Sequence, residues 1–394
     1  MILRICVYFL FLSFLTTKTF ASFGNERFLR ANNEADGLNI LTLGGSVTWG
    51  AEVKDVKLAW PYRVAELGSH KVTNHALRAA GSFYPALCLQ SILRDDETEY
   101  NVVIMEFSIN GAQAFDWLIK RLRARFPYAI FIYVNLYSLR SNIVDELGRT
   151  PFDHGIIDHI ESRGIHWKWK STKDLILRPP PQVKESLKEY DCHVYNLPVP
   201  ENPAEAKQFF AHDSHHLSVK GHNLVAEHVL NLMNDIVMSN APLKFQFGTW
   251  GAGDYCDNWY KTGKIKLPYT GAKMKPILSH SKYALEFPKE GGTITIGNKE
   301  ARAPLWVHYM SKQGIYPKMK VSMWDRDYYL EPSKKNSEDF YHTVQTTNIG
   351  FAETATNEIT FRPLLDSREP FRLVAIGYCG ACYEEVIGGE QQIK

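Results

Sequence analysis

The sequence predicts an α/β protein: a three-layer α/β/α sandwich on a five-stranded parallel sheet over residues 38–240, then an all-β, sandwich-like domain over 241–394. Three observations carry this. Short apolar segments rich in Val and Ile alternate with helical patterns through the first part of the chain, as strands buried on both faces require. From Ala241 the alternation stops, and strand patterns follow one another with Gly, Pro, Asn and Lys between them. The chain has 394 residues, 45% of them hydrophobic, enough for two domains each with its own core. That composition excludes a disordered, a collagen-like and a disulfide-dense chain.

The elements follow in order. Arg4, the nearly unbroken apolar run Ile5 to Leu15 and the small residue ending Thr19-Phe20-Ala21 make residues 1–21 a secretory signal peptide. The run falls short of the about 20 apolar residues a spanning helix needs, so an uncleaved anchor is the weaker alternative. Export is therefore expected, with no stable membrane anchor after cleavage. Residues 22–37 form a polar leader. Strands are predicted at Leu38–Leu43, Lys71–Asn74, Asn101–Phe107, Ala129–Asn135 and His193–Asn196. Helices are predicted near Pro61–Leu67, Tyr84–Arg94, Ala112–Phe126 and Val219–Met238, the first with proline in its opening turn. The stretch from Ser138 to Lys184 takes no clear register. The domain boundary falls near Ser239–Pro242. Beyond it Thr293–Ile296, Leu305–Tyr309, Lys320–Trp324, Glu358–Phe361 and Arg372–Ile376 read as strands.

Charge and cysteine content narrow the partners. Lys and Arg number 45 against 43 acidic residues, and removing the signal takes Arg4 and Lys18, leaving a neutral chain. Nucleic acid is not expected as a partner. The basic run Lys120 to Arg125 reads as the solvated face of an amphipathic helix. Five cysteines remain after the signal, an odd number, so at least one is free or pairs outside the chain. Cys379-Gly-Ala-Cys382 lacks the βαβ context of a redox motif and the second pair of a zinc site, which favours structural disulfides or buried thiols. None of the 20 asparagines begins a glycosylation sequon.

Four segments carry chemistry. Gly44-Gly45-Ser46-Val47-Thr48-Trp49-Gly50 follows the first strand and would expose a hydroxyl at a sharp turn before a helix N-terminus. It lacks the lysine of a Walker loop, the GxGxxG spacing of a dinucleotide site and the GxSxG elbow of α/β-hydrolases. Gly81 lies in the loop after the second strand, where its N–H can approach a ligand. Asn110, in Glu106-Phe107-Ser108-Ile109-Asn110-Gly111, can aim an amide into a cleft or cap the next helix. In His212-Asp213-Ser214-His215-His216, an aspartate three residues before a histidine can fix one ring nitrogen and leave the other as a base. Together they supply a nucleophile, a base, an orienting acid and three N–H donors, all but the Asp/His segment at carboxyl ends of strands.

On these residues the chain resembles the SGNH hydrolases, also called GDSL esterases, over about residues 38–240. Gly44 to Gly50 is similar to the family's block I, Gly81 to the block II glycine, Asn110 to the block III asparagine and Asp213 to His216 to the block V DxxH. The resemblance implies a 2-1-3-4-5, flavodoxin-like sandwich that uses neither metal nor cofactor. It implies a triad of Ser46, His216 and Asp213, with an oxyanion hole from the N–H groups of Ser46 and Gly81 and the amide of Asn110. Gly45 stands where the GDS form has aspartate, and Ser108 and Gly111 replace the glycine and aspartate of the usual Gly-x-Asn-Asp.

The expected function is a secreted serine esterase acting on a small-molecule or glycan ester, such as an acetylated glycan or a lipid. Two alternatives stand beside it. One is a catalytically weak carbohydrate-binding or scaffold protein, with Trp250, Trp259, Trp306 and Trp324 as stacking candidates, although Trp306 reads as core. The other is an O-acyltransferase on the same triad. A metal site from His212, Asp213, His215, His216 and His222 is disfavoured, since adjacent residues rarely turn all their side chains to one ion. His215 and His222 read as capping or surface residues.

Overall fold

The computed structural model describes residues 37–93, 96–139, 181–200, 203–239, 255–260, 263–277, 282–298, 302–311, 315–332, 343–364 and 367–379. The signal peptide, nearly all the leader, the domain boundary after Ser239, most of the Ser138–Lys184 stretch, Trp250 and Cys382 lie outside these residues. The described residues fall into two compact units. One is drawn from Met1–Arg78, Thr98–Ile109 and Leu122–Gly248, and the other from Ala79–Glu97, Asn110–Arg121 and Thr249–Lys394.

The first unit holds a five-stranded parallel sheet of β1 (Asn39–Gly44), β2 (Lys71–Asn74), β3 (Val102–Glu106), β4 (Ile130–Asn135) and β5 (Cys192–Asn196), ordered β2-β1-β3-β4-β5. Every residue of β3 and β4, and all but the first of β1, is buried. That explains their lack of alternation: both faces are covered, so both must be apolar. On one face Ile40, Ile104 and Ile132 pack with Trp60 and Val64 of α2 (Trp60–Gly68) and with Val225, Val229 and Met233 of the long C-terminal helix (Val219–Met238). Each such side chain withdrawn from water contributes about 1.5–3 kcal/mol. β1 pairs with β2 on one side and β3 on the other, so the sheet reverses direction at β1. Open α/β sheets bind ligands at the carboxyl ends of strands beside such a reversal.

Two helical stretches depart from the sequence reading. A four-residue helix, α1 (Ser46–Trp49), follows β1 directly. The helix predicted from Ala112 starts at Phe115 as α4 (Phe115–Arg125), because Gly111 and Ala114 take positive φ (101° and 55°) and keep the chain out of helical geometry. Elsewhere the described α-helices are α3 (Phe83–Ile92), α5 (Pro181–Glu189), α6 (Pro203–Lys207) and α7 (Val219–Met238).

The basic run on α4 needs correction. Lys120 and Arg125 are exposed, but Arg121 and Arg123 are buried at 5% and 2% exposure. Arg123 lies over the Phe131 ring of β4 and donates to the carbonyls of Ala129 (2.8 Å) and Tyr190 (2.8 Å). Arg121 donates to the Ala86 and Leu87 carbonyls of α3. Their guanidinium forks bind main-chain carbonyls from distant segments, a use the helical pattern does not reveal.

The second unit contains two antiparallel sheets around one core, as expected for the all-β part. The first is ordered β13-β12-β15-β10-β7: β13 (Arg326–Leu330), β12 (Met319–Met323), β15 (Thr356–Pro363), β10 (Gly292–Gly297) and β7 (Tyr269–Thr270). The second is ordered β14-β11-β16-β9-β8, with β6 (Tyr255–Asn258) also paired to β16. Its other strands are β14 (Thr343–Ala352), β11 (Ala303–Ser311), β16 (Phe371–Tyr378), β9 (Lys282–Phe287) and β8 (Lys273–Ile277). Ile294, Val321 and Phe361 of the first sheet meet Leu285, Val307 and Leu373 of the second. A disulfide joins Cys88 of α3 to Cys256 of β6 (Cα–Cα 5.1 Å). Cys379 is disulfide-bonded and buried, while Cys192 in the first unit is free. Among the described residues no helix is long and apolar enough to cross a membrane.

Candidate active site

β1 ends at Gly44, and the chain turns at once into α1, whose first residue is Ser46. Gly44 permits this: a Cβ there would lie 2.3 Å from Thr48 Oγ1 and 2.9 Å from the Glu106 carbonyl. Ser46 is 6% exposed. Its Oγ lies 2.8 Å from His216 Nε2. The other nitrogen of that ring, Nδ1, lies 2.5 Å from Asp213 Oδ2.

The loop before α7 builds the rest from local geometry. Asp213 Oδ1 accepts the backbone N–H groups of His215 and His216, both at 3.0 Å. Ser214 between them takes a left-handed φ of 57°. The loop is closed by hydrogen bonds from Ser214 N–H to Ala211 O (2.9 Å) and Ala211 N–H to His216 O (2.8 Å). Burial works against charge on the Asp213 carboxyl. The His216 ring and the two N–H groups outweigh it and hold the carboxyl well below its usual range. A carboxylate fixed on Nδ1 leaves Nε2 to accept a proton from the serine hydroxyl.

The remaining histidines of this segment disperse. His215 Nδ1 pairs with Ser138 Oγ (3.0 Å), and its ring meets the edge of His216 with centroids 4.8 Å apart. The exposed His212 reaches Glu52 at 3.5 Å. His222 caps, as its reading allowed, but from the interior: it is fully buried and its Nδ1 accepts the Trp60 N–H at the start of α2 (3.2 Å). Burial, and the charge of His216, depress its pKa to about 3, so it stays neutral. Glu52, Asp213 and His216 present ligand atoms within 4.8 Å of one another, a different set from the five considered in the sequence. Both His216 nitrogens in that set are already engaged by Ser46 and Asp213.

Gly81 and Asn110 belong to the second unit, where they are neighbours. A Cβ on Gly81 would come within 2.6 Å of the Gly111 carbonyl and 3.0 Å of that of Asn110, so the position has room only for glycine. The side-chain Oδ1 of Asn110 is buried and makes no hydrogen bond among the described residues.

Two groups that contact the segments carrying Ser46 and His216 were not singled out in the sequence. Glu106, fully buried at the end of β3, accepts hydrogen bonds from Thr48 and Ser108. An acid ending the otherwise apolar Val102–Met105 is the signal that marks it. Ser138, which anchors His215, carries no such signal. Of the tryptophans considered for sugar stacking, Trp259 is buried and donates to the Leu373 carbonyl (2.9 Å). Trp306 packs against Phe83 and Trp117. Trp324, on the β12–β13 turn, is 58% exposed.

A parallel β2-β1-β3-β4-β5 sheet with a serine–histidine–aspartate series leading from the end of β1 fits the SGNH α/β fold that the sequence resembles. Two structures of a two-domain esterase, CEX, active on acetylated mannans, are similar to this chain along nearly its whole length. The one co-crystallised with mannopentaose has a TM-score of 0.60 and the other 0.62. Each is 15% identical and covers 90% of this chain and 94% of its own. A psychrotrophic esterase, EstA from Pseudoalteromonas sp., matches 51% of this chain and 98% of its own at 13% identity, with a TM-score of 0.35. No family model and no curated protein matches the sequence.

Proposed function

We propose that the protein is a secreted serine esterase of the SGNH type that removes acyl groups from an O-acylated glycan. The observation that carries this is His216, hydrogen-bonded through Nε2 to Ser46 and through Nδ1 to Asp213. In this reading His216 takes the hydroxyl proton as Ser46 Oγ attacks the ester carbonyl. Asp213 holds the ring in the productive tautomer and offsets the imidazolium charge. His216 then returns the proton to the departing alcohol, and water, activated by the same base, releases the acid from the acyl-enzyme. The N–H of Ser46 stabilises the oxyanion, and family resemblance adds Gly81 and Asn110 as further donors. One such donor is worth about 10²–10³ in turnover.

The glycan part is supported by the likeness to CEX over both parts of the chain. Export is supported by the character of residues 1–21 and by the Cys88–Cys256 disulfide, a bond that persists in oxidising compartments. The test is acetate release from acetylated mannan and acetylated xylan by the purified protein beside Ser46→Ala and Asn110→Ala. Release abolished in the first and reduced about 10²–10³-fold in the second is expected. Release unaffected by Ser46→Ala would refute the nucleophile. Acyl transfer to an added polysaccharide in place of release would assign the same triad to a transferase.

A further inference from the structure

We infer that Glu106 is a positioning residue for the nucleophile: its carboxylate ties the Ser46 turn to the end of β3, and Ser46 reacts at its full rate only while that carboxylate is ionised. The inference rests on Ser46 being the nucleophile and extends that reading to what holds it in place.

Glu106 is the last residue of β3 and pairs in register with Gly44, the last residue of β1. From there its side chain reaches both sides of Ser46. Thr48 Oγ1, two residues beyond the serine, donates to Oε2 at 3.1 Å. The Gly45 N–H, immediately before the serine, also donates to the carboxyl. On the β3 side Ser108 Oγ donates to Oε1 (3.3 Å), joined by the N–H of Ile109. Ser108 in turn accepts the Leu136 N–H (2.8 Å) from the chain after β4. One buried carboxylate therefore gathers the chain after β1 and β3 and, through Ser108, the chain after β4.

The donors define the required charge state. The two backbone N–H groups can only donate, and each hydroxyl can turn its proton to the carboxyl, so the acceptor-only ionised form can receive all four. A protonated carboxyl turns its own hydrogen to one of the hydroxyls, so at most three groups can then donate to it. No cation offsets the charge: among the described residues no charged side chain acts on Glu106. The titratable group facing it is the Tyr133 phenol of β4, which burial and the Glu106 charge push further up, so it stays neutral. Burial raises the Glu106 carboxyl, and the four hydrogen bonds pull it only part of the way back, to about 7. An ionised acid is thus kept at a dry position where a glutamine would fill the same space uncharged. Its loss of charge on mild acidification loosens two contacts that flank Ser46.

The test is the rate of Ser46 labelling by a fluorophosphonate probe between pH 5 and 9. In the wild type the loss of the Glu106 charge slows the reaction on top of the loss of the free base, so the acid limb of log rate against pH is steeper than a slope of one. Glu106→Gln is expected to label about tenfold more slowly at pH 8 and to fall in acid with a slope of one. Thr48→Val and Ser108→Ala keep the carboxyl but remove one donor each, and should move one inflection upward by about half to one pH unit. A wild-type slope of one, or a Glu106→Gln profile parallel to the wild type, would overturn the inference even if Glu106→Gln proved less stable. The Thr48 and Ser108 variants decide the matter if Glu106→Gln fails to fold: an unmoved inflection overturns it. No labelling of folded wild type at any pH would instead remove the nucleophile and this inference with it.

Discussion

At the scale of residues, the site rests on one imidazole held from both ends. His216 is fixed by Asp213 through a ring contact and through the N–H of its own backbone, so the loop and the side chain lock together. Asp213→Asn would keep the shape but favour the wrong tautomer. Steady-state assays should show turnover lowered by about 10⁴ with the fold unchanged by circular dichroism. The acid stability curve follows from the same contacts. Because the folded carboxyl sits below its usual range, its contribution is complete above about pH 4 and is lost as pH falls further. The gap between thermal melts of wild type and Asp213→Asn should therefore narrow steadily as pH falls below 4; a gap of constant size there would contradict the assignment. The meeting of Ser46, His216 and Asp213 was legible because the Gly-Gly-Ser turn and the DxxH spacing are local signatures. The burial of Arg121, Arg123 and His222 was not, since each is satisfied by groups far away in sequence: Arg123 binds the Tyr190 carbonyl, 67 residues on, and His222 the Trp60 N–H, 162 residues back.

At the scale of elements, the parallel strands were readable from apolar runs because both faces of β1, β3 and β4 are covered. The one-turn helix α1 was not, since four residues carry no period. The turn around Gly81 was read as a site where backbone approaches a ligand, but what it approaches within its own unit is the Asn110–Gly111 backbone. Gly81→Ala must push one of these segments aside, because the obstructing atoms are carbonyls rather than flexible side chains. Chemical denaturation should show a loss of about 1–3 kcal/mol. Wild-type stability in this variant would mean the two segments are not packed as described. The Cys88–Cys256 bond is a second tie between elements, joining α3 to β6 across a sequence separation of 168. Cys88→Ser with Cys256→Ser should destabilise the protein by roughly 2–5 kcal/mol in equilibrium unfolding. The odd cysteine count foretold an unpaired thiol but not which one; Cys192 is identified by its place on β5, with burial pushing its thiol up and out of the reactive range.

At the scale of the whole molecule, two kinds of architecture share one chain: a parallel sheet flanked by helices and an antiparallel pair of sheets with its own core. The change of texture along the sequence anticipated both. The compact units, however, are discontinuous in sequence, with 79–97 and 110–121 grouped with the β-rich residues, and no local pattern reports such long-range grouping. The central claim concerns Ser46 alone. It is tested most directly by intact-mass and peptide mapping of the purified protein after treatment with a fluorophosphonate. The account predicts one adduct, on the peptide containing Ser46, and none in Ser46→Ala. No adduct on folded protein, or one that persists in Ser46→Ala, would contradict it.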